Sequence, residues 1–327
     1  MLNPFCRSLS PEILVVRRWQ FQTHFYDVIL QWISDNFPEY LPMFRIRYLP
    51  CHIPRRRNVV LHVPWLQDPV QRWSKRRYRQ ANRLAEECDA HGIRIINRVD
   101  KLLNASKSVG ARLMLDAGIQ TPRIEPISNM EDFRETFLGI DLPLFVRDDW
   151  QHGSKMLRAD TREDVHRLPL EQFARPVAVE LIDLPDRSDG LYRKYRYVAA
   201  GDHGVSHHLQ VSRDWITRGN NREKTDLSRD EELAYIAEQD PNHAELQRAR
   251  KALGLDFLAF DYSYDHEGRV VVWEANPYPY IGFSTRKLAY RNEALHRTVA
   301  AMLAMYLDYG GLPVPDALRT RFSYTDE

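Results

Sequence analysis

Asp261, Glu274 and Asn276 are residues whose types and spacing could do chemistry together. They sit in Phe260-Asp261-Tyr262-Ser263-Tyr264 and in Arg269-Val270-Val271-Val272-Trp273-Glu274-Ala275-Asn276-Pro277, joined by the polar stretch from Asp265 to Gly268. β-Branched and aromatic residues around a short polar segment ending in Gly predict an antiparallel hairpin. Side chains alternate along a strand, so Glu274 and Asn276 share a face. With an even number of loop residues, Asp261 falls opposite Val272 and is a diagonal same-face neighbour of Glu274, roughly 7–8 Å away. Three oxygen donors then converge. A hard cation such as Mg²⁺ takes oxygens at about 2.0–2.1 Å and leaves the rest of its shell to water and phosphate, so the hairpin suggests a metal–nucleotide site. The alternative is a hairpin whose polar face is merely wet. Pro277 ends the second strand.

The elements that must position these groups can be traced through the chain. Ile13 to Val16, Val59 to Val63 and Ile93 to Ile96 are apolar runs of strand type, and Asp68 to His91 has helical spacing closed by His91-Gly92. Strands alternating with helices predict a parallel α/β unit over the first hundred residues. Asn104 to Ala117 is again helical, with Lys107 early on it, and is stopped by Gly118 and Thr121-Pro122. Pro143 to Arg147 reads as a strand, followed by a polar loop containing Gly153 and Ser154. That loop is either a phosphate cradle of backbone N–H groups or an ordinary hairpin turn. Val177 to Ile182 is a further strand. In the next one, Leu191 to Val198, Lys194 and Arg196 share a face and need anionic partners, which carboxylates or phosphates would serve equally. The charged stretch from Asn220 to Asp240 reads as a mobile loop and a solvated helix. The cation runs Arg55 to Arg57 and Lys75 to Arg79 read as solvated faces, with phosphate or RNA contacts as the alternative.

The chain has 327 residues, enough for two or three packed units. Forty-six basic residues against forty-five acidic ones give a net charge of +1, and hence no electrostatic case for a nucleic-acid or membrane partner. Cys6, Cys51 and Cys88 are widely spaced, which indicates neither a disulfide framework nor a zinc site. Without a signal-peptide pattern or an apolar run of about 20 residues, a soluble cytoplasmic protein is expected.

The order of these features resembles the ATP-grasp superfamily of the carboxylate–amine ligase type. Lys107 is followed by AGIQTP, FVR with a Gly-containing loop, VELID, RKYR and FDYSYDHEGRVVVWEANP, so the likeness runs from about residue 100 to 285. The resemblance implies an α/β protein with α+β subdomains. A pre-ATP-grasp parallel α/β domain would span 1–100, a nucleotide-gripping subdomain 101–185 and a metal-bearing subdomain 186–327. Lys107 and Arg147 match the two cations on the nucleotide phosphates, Arg147 standing where Lys is usual. Gly153 and Ser154 match the loop over the phosphates. Glu180, Leu181 and Ile182 match the adenine hinge. Lys194 occupies the place of the usual ribose-binding acid, leaving Asp183 or Asp186 to substitute. Arg196 matches a cation facing the γ-phosphate, and Asp261, Glu274 and Asn276 match ligands for two Mg²⁺ (or Mn²⁺) ions.

D-alanine-type ligases often carry an Arg two residues before the metal Asp, where this chain has Ala259. Arg286, in the loop from Tyr278 to Lys287, is the expected substitute for stabilising developing charge. His207, His208 and Arg213 are further candidates for the acceptor site. The implied reaction joins a small-molecule or peptide carboxylate to an amine through an acyl phosphate, with ATP going to ADP and phosphate. Phosphoryl transfer to a hydroxyl and catalytically silent nucleotide binding are the alternatives. The resemblance also makes a homodimer the default.

Overall fold

A computed structural model of the chain describes residues 10–17, 24–54, 57–66, 69–150, 155–217, 221–284 and 286–324. Three four-stranded sheets organise it. The first contains β1 (Pro11–Arg17), β2 (Phe44–Tyr48), β3 (Asn58–Trp65) and β4 (Arg94–Ile95), all parallel in the order β2-β1-β3-β4. Its crossovers carry α1 (His24–Asn36) and then α2 (Val70–Trp73) with α3 (Lys75–Ala90). Ile13 to Val16 are almost wholly buried, as expected for a parallel strand covered on both faces.

The segment expected to be one helix from Asp68 to His91 is two. Ser74 takes extended dihedrals and its hydroxyl accepts from Arg77 N at 3.2 Å, so it caps α3 and separates it from α2. Ser106 makes a second such break. Val99–Ala105 is a 3₁₀ turn, and α4 (Lys107–Asp116) begins only after Ser106, which places Lys107 on the first helical residue.

The second sheet is antiparallel in the order β5-β8-β6-β7: β5 (Ile124–Pro126), β6 (Leu144–Asp148), β7 (Leu157–Ala159) and β8 (Pro176–Glu180). The short helices α5 (Met130–Thr136) and α6 (Arg162–Arg167) close a small core around Phe133, Leu144, Val146 and Val165. Along β6 the pleat sends Leu144, Val146 and Asp148 inward, leaving Phe145 and Arg147 on the other face.

The third sheet, β10-β9-β11-β12, is also antiparallel. It contains β9 (Tyr192–Ala200), β10 (His203–Ser212), β11 (Phe257–Tyr264) and β12 (Val270–Asn276). Helices α7 (Asp226–Ala237), α8 (His243–Leu253), α9 (Asn292–Tyr309) and α10 (Asp316–Phe322) complete the chain. From Thr298 to Leu307 every residue of α9 is buried, because α9 packs in one core shared by the parallel sheet, α1 and β9 and β10 of the third sheet. Gly254 ends α8 in the left-handed region at φ 63°, the conformation glycine supplies without strain.

The stretch from Asn220 to Asp240 is not simply a solvated helix. α7 buries Ile236 and Glu232, and the Glu232 carboxylate meets Arg291 Nη2 and Tyr290 Oη at 2.5 Å each. No helix among the described residues is long and apolar enough to cross a membrane.

Candidate active site

A cleft of about 380 Å³ opens between the second and third sheets. Its apolar slot is formed by Ile124, Phe145 and Val179 of the second sheet, by Leu181, Ile182 and Leu184 just beyond β8, and by Trp215 and Ile216 after β10. The Phe145 and Trp215 rings lie 5.4 Å apart and tilted by 53°, giving the slot an aromatic side. Its polar end carries Lys107, Arg147, Lys194, Arg196, Asp261, Glu274 and Asn276. Residues far apart in sequence are thus brought to one end of one cleft.

The hairpin forms, with a different register from the expected one. Asp261 pairs directly with Glu274, whereas Tyr262 pairs with Val272, so Trp273 is an extra residue on β12. This β-bulge changes the parity of the strand. On the turn side Val270 and Val272 point into a core with Tyr262 and Leu258. Beyond the bulge the even-numbered residues change sides, and Glu274 faces the cleft opposite Asp261. Without the bulge, Glu274 would share the face of Val272 and be driven into hydrocarbon. The Trp273 indole donates to Ser263 Oγ at 2.7 Å and holds the extra residue in place.

Asp261 is buried, and Arg196 grips it through Nε at 2.6 Å and Nη2 at 3.0 Å, with Lys194 Nζ at 3.1 Å. Burial raises the Asp261 pKa, but the Arg196 and Lys194 charges outweigh it and hold the carboxyl below the usual aspartate range. Burial likewise works against the Arg196 charge, and the Asp261 carboxylate more than restores it. Arg147 reaches across from β6 to Glu274, Nη2 to Oε2 at 3.6 Å.

Lys107 is buried at the start of α4, its Nζ 3.4 Å from the Asp149 carbonyl. A cation at a helix N-terminus opposes the helix dipole, and an anionic ligand beside it reverses that penalty. Four cations, Lys107, Arg147, Lys194 and Arg196, thus face two carboxylates, Asp261 and Glu274. The surplus positive charge suits a polyanion.

The other expected residues are placed as follows. Leu181 and Ile182 line the slot, but the Glu180 carboxylate accepts from Arg123 N at 2.9 Å and lies outside it. Asp183 accepts from the Tyr192 hydroxyl at 2.7 Å. Asp186 caps Ser188, whose hydroxyl bond leads the causes holding its pKa down. Neither aspartate lines the cleft. Gly153 and Ser154 fall outside the described residues, as does the Arg286 side chain. His207 and His208 join through their Nδ1 atoms at 2.8 Å, and burial together with Arg196 pushes His207 down to about 3, so it is neutral at ordinary pH. Arg213 pairs with Glu223 at an exposed site.

Gln210, the 215–217 wall and the Glu232–Arg291 pair were not expected from the sequence. Only the alternation along Leu209, Gln210 and Val211 hints at the strand that presents the first of them.

These donors fit a nucleotide with a hard divalent cation. Asp261 and Glu274 are directly opposed, about 4.5–5.5 Å apart at the backbone. Asn276 follows on the same face, its Oδ1 accepting from Tyr278 N at 2.9 Å with a lone pair to spare. All three are oxygen donors of the kind Mg²⁺ and Mn²⁺ take. Because the third is an amide, the trio differs from clusters of three or more His, Cys, Asp or Glu, of which there is none suited to a metal among the described residues.

No protein-family model and no curated protein sequence matches the chain. Solved structures do. The VanG D-Ala:D-Ser ligase from Enterococcus faecalis superposes with a TM-score of 0.55 at 13% identity, covering 92% of this chain and 100% of that one. The D-alanine–D-alanine ligase from Bacillus anthracis gives 0.55 at 12% identity over 95% and 99%. The ATP-grasp ligase PsnB, solved with precursor peptide PsnA2 and AMPPNP, gives 0.54 at 15% identity over 91% and 98%. The parallel N-terminal sheet followed by two antiparallel sheets agrees with these superpositions, and the chain has the ATP-grasp fold.

Proposed function

We propose that this protein is an ATP-dependent carboxylate–amine ligase that forms an amide or peptide-like bond and releases ADP and phosphate. The observation that carries this reading is the polar end of the cleft, where Lys107, Arg147, Lys194 and Arg196 surround the directly opposed Asp261 and Glu274. In this reading residues 1–100 form the N-terminal domain, and 101–185 and 186–327 are the two subdomains that enclose the nucleotide.

The adenine occupies the slot of Ile124, Phe145, Leu181 and Ile182, with backbone groups after Glu180 as its hydrogen-bonding edge. Lys107 and Arg147 hold the inner phosphates. Asp261, Glu274 and Asn276 hold Mg²⁺ or Mn²⁺, which when bound neutralises phosphate charge and aligns the oxygens. Arg196 and Lys194 then exchange part of their contact with Asp261 for the terminal phosphate.

Phosphorylation gives the acid a leaving group better than oxide, and this in-line transfer depends on alignment and charge neutralisation. The amine attacks the acyl phosphate next, through an oxyanion that needs fixed donors. Because PsnB was solved with a precursor peptide, peptide carboxylates are the first acids to screen. The test is product analysis with ATP, Mg²⁺ and pools of acids and amines. Release of ADP and phosphate that requires both acid and amine supports the proposal. AMP and pyrophosphate would overturn it, and a phosphorylated hydroxyl acceptor formed without any amine would replace it with a phosphotransferase.

A further inference from the structure

A second cleft, of about 780 Å³, lies where α2 and α3 face the end of β6 and the turn before β8. Arg72, Lys75 and Arg79 enter it from the helices, and Arg175 enters from the opposite side. Lys75, Tyr78 and Arg79 follow helical i, i+3, i+4 spacing and so share one face of α3. The cation run is a largely exposed helix face, as expected, and its Lys75 and Arg79 line this open cleft.

Two features set this cluster apart. Among the described residues, none of the four cations has a carboxylate within ion-pair distance. Arg72 donates only to the Trp150 carbonyl, at 3.4 Å, and Arg175 lies 3.7 Å above the Trp150 ring. By contrast, Arg193 alone contacts Asp186, Asp189 and Glu231. The one acid lining the cleft, Asp148, is committed to backbone, accepting from Trp150 N at 3.2 Å, Ala174 N at 3.0 Å and Arg175 N at 3.4 Å.

We propose that this cleft is a second binding site that takes an extended acidic peptide segment. Unpaired cations on two walls call for a ligand with several separated anionic groups. Trp150 and Tyr78 offer flat apolar surface between the charges. The cleft also adjoins the nucleotide site, because Asp149, next to Trp150, accepts from Ser108 N at 2.9 Å and Oγ at 3.0 Å beside Lys107. The proposal concerns binding alone and stands apart from the ligase reading.

Its test is fluorescence anisotropy of a labelled hexaglutamate with the full chain, without nucleotide, at about 50 mM salt, where screening is modest. Saturable binding is expected, with no binding of hexaglutamine. Arg72→Glu with Arg79→Glu, and separately Arg175→Glu, should each weaken binding about tenfold or more through like-charge repulsion. If a reversal variant loses its wild-type melting temperature, the neutral Arg72→Gln and Arg79→Gln variants take its place, each expected to weaken binding. Absence of hexaglutamate binding at millimolar concentration, undiminished binding in the charge variants, or tripolyphosphate binding that the peptide cannot displace would each overturn the assignment.

Discussion

Neutralising Asp261 alone probes the electrostatic logic of the cleft. Asn in its place keeps nearly the same shape, yet Arg196 and Lys194 lose the counter-ion they share. Removing one partner of a fully buried pair costs about 3–5 kcal/mol. Here the two cationic side chains keep 23% and 24% of their surface exposed, so water recovers part of that cost and about 2–3 kcal/mol is the better figure. At roughly 2 °C per kcal/mol for a chain of this size, the melting temperature should fall by about 4–6 °C. The measurement is thermal and urea denaturation of Asp261→Asn in a chelating buffer. Adding Arg196→Gln removes one orphaned charge, so the double variant should be more stable than the sum of the two single effects, by about 1–2 kcal/mol. Asp261→Asn should also bind metal-free ADP more tightly than wild type, because both cations are released towards the phosphates. An unchanged melting temperature, or strict additivity in the double variant, would refute this account.

Glu274→Gln should abolish metal-dependent ATP turnover and the Mg²⁺-dependent part of a nucleotide thermal shift while leaving the ligand-free melting temperature close to wild type; retained turnover would dismiss the metal role. Gly204→Ala should destabilise the protein by about 3 kcal/mol in urea denaturation, since a Cβ there would collide with the Tyr197 hydroxyl and His243 behind the sheet that carries Arg196. A neutral result would show that β9 and β10 have slack. Glu12, buried and bonded to Arg45 at 2.8 Å and Arg57 at 3.0 Å, has its pKa lowered chiefly by the Arg45 hydrogen bond, with burial opposing. Its stabilisation is therefore complete above its ordinary value of 4.5 and is lost as pH falls through the lower folded value. The stability gap between wild type and Glu12→Gln should be full at neutral pH and shrink as pH falls below 4.5, and a gap that widens in acid would contradict the linkage.

The elements that place the site were legible wherever local chemistry dominates. β-Branched residues around a Gly turn specified β11 and β12, and apolar runs flanked by helical spacing specified the parallel unit. The helix break at Ser74 was visible as a capping residue, but helical periodicity on either side masked it, and Ser106 breaks the chain through its extended backbone with no side-chain cap. Contacts between distant segments were harder to read. Glu232 lies in a charged stretch, and nothing near it announces that it will be buried against Arg291, 59 positions along. The strands β2, β5 and β10 carry mixed polar sequences whose β character comes from their neighbours in the sheet. The three candidate ligands were identifiable by type, yet the pairing of Asp261 with Glu274 depends on Trp273 being left unpaired, a matter of register that composition does not encode.

That unpaired tryptophan bears on how this hairpin can be transplanted or redesigned. A designer who copied only the two acids onto a regular ribbon would obtain one acid in the cleft and the other in the interior. The portable unit is the irregularity together with its Ser263 anchor, and a sequence alignment of such hairpins should be judged first by whether it preserves that one-residue offset.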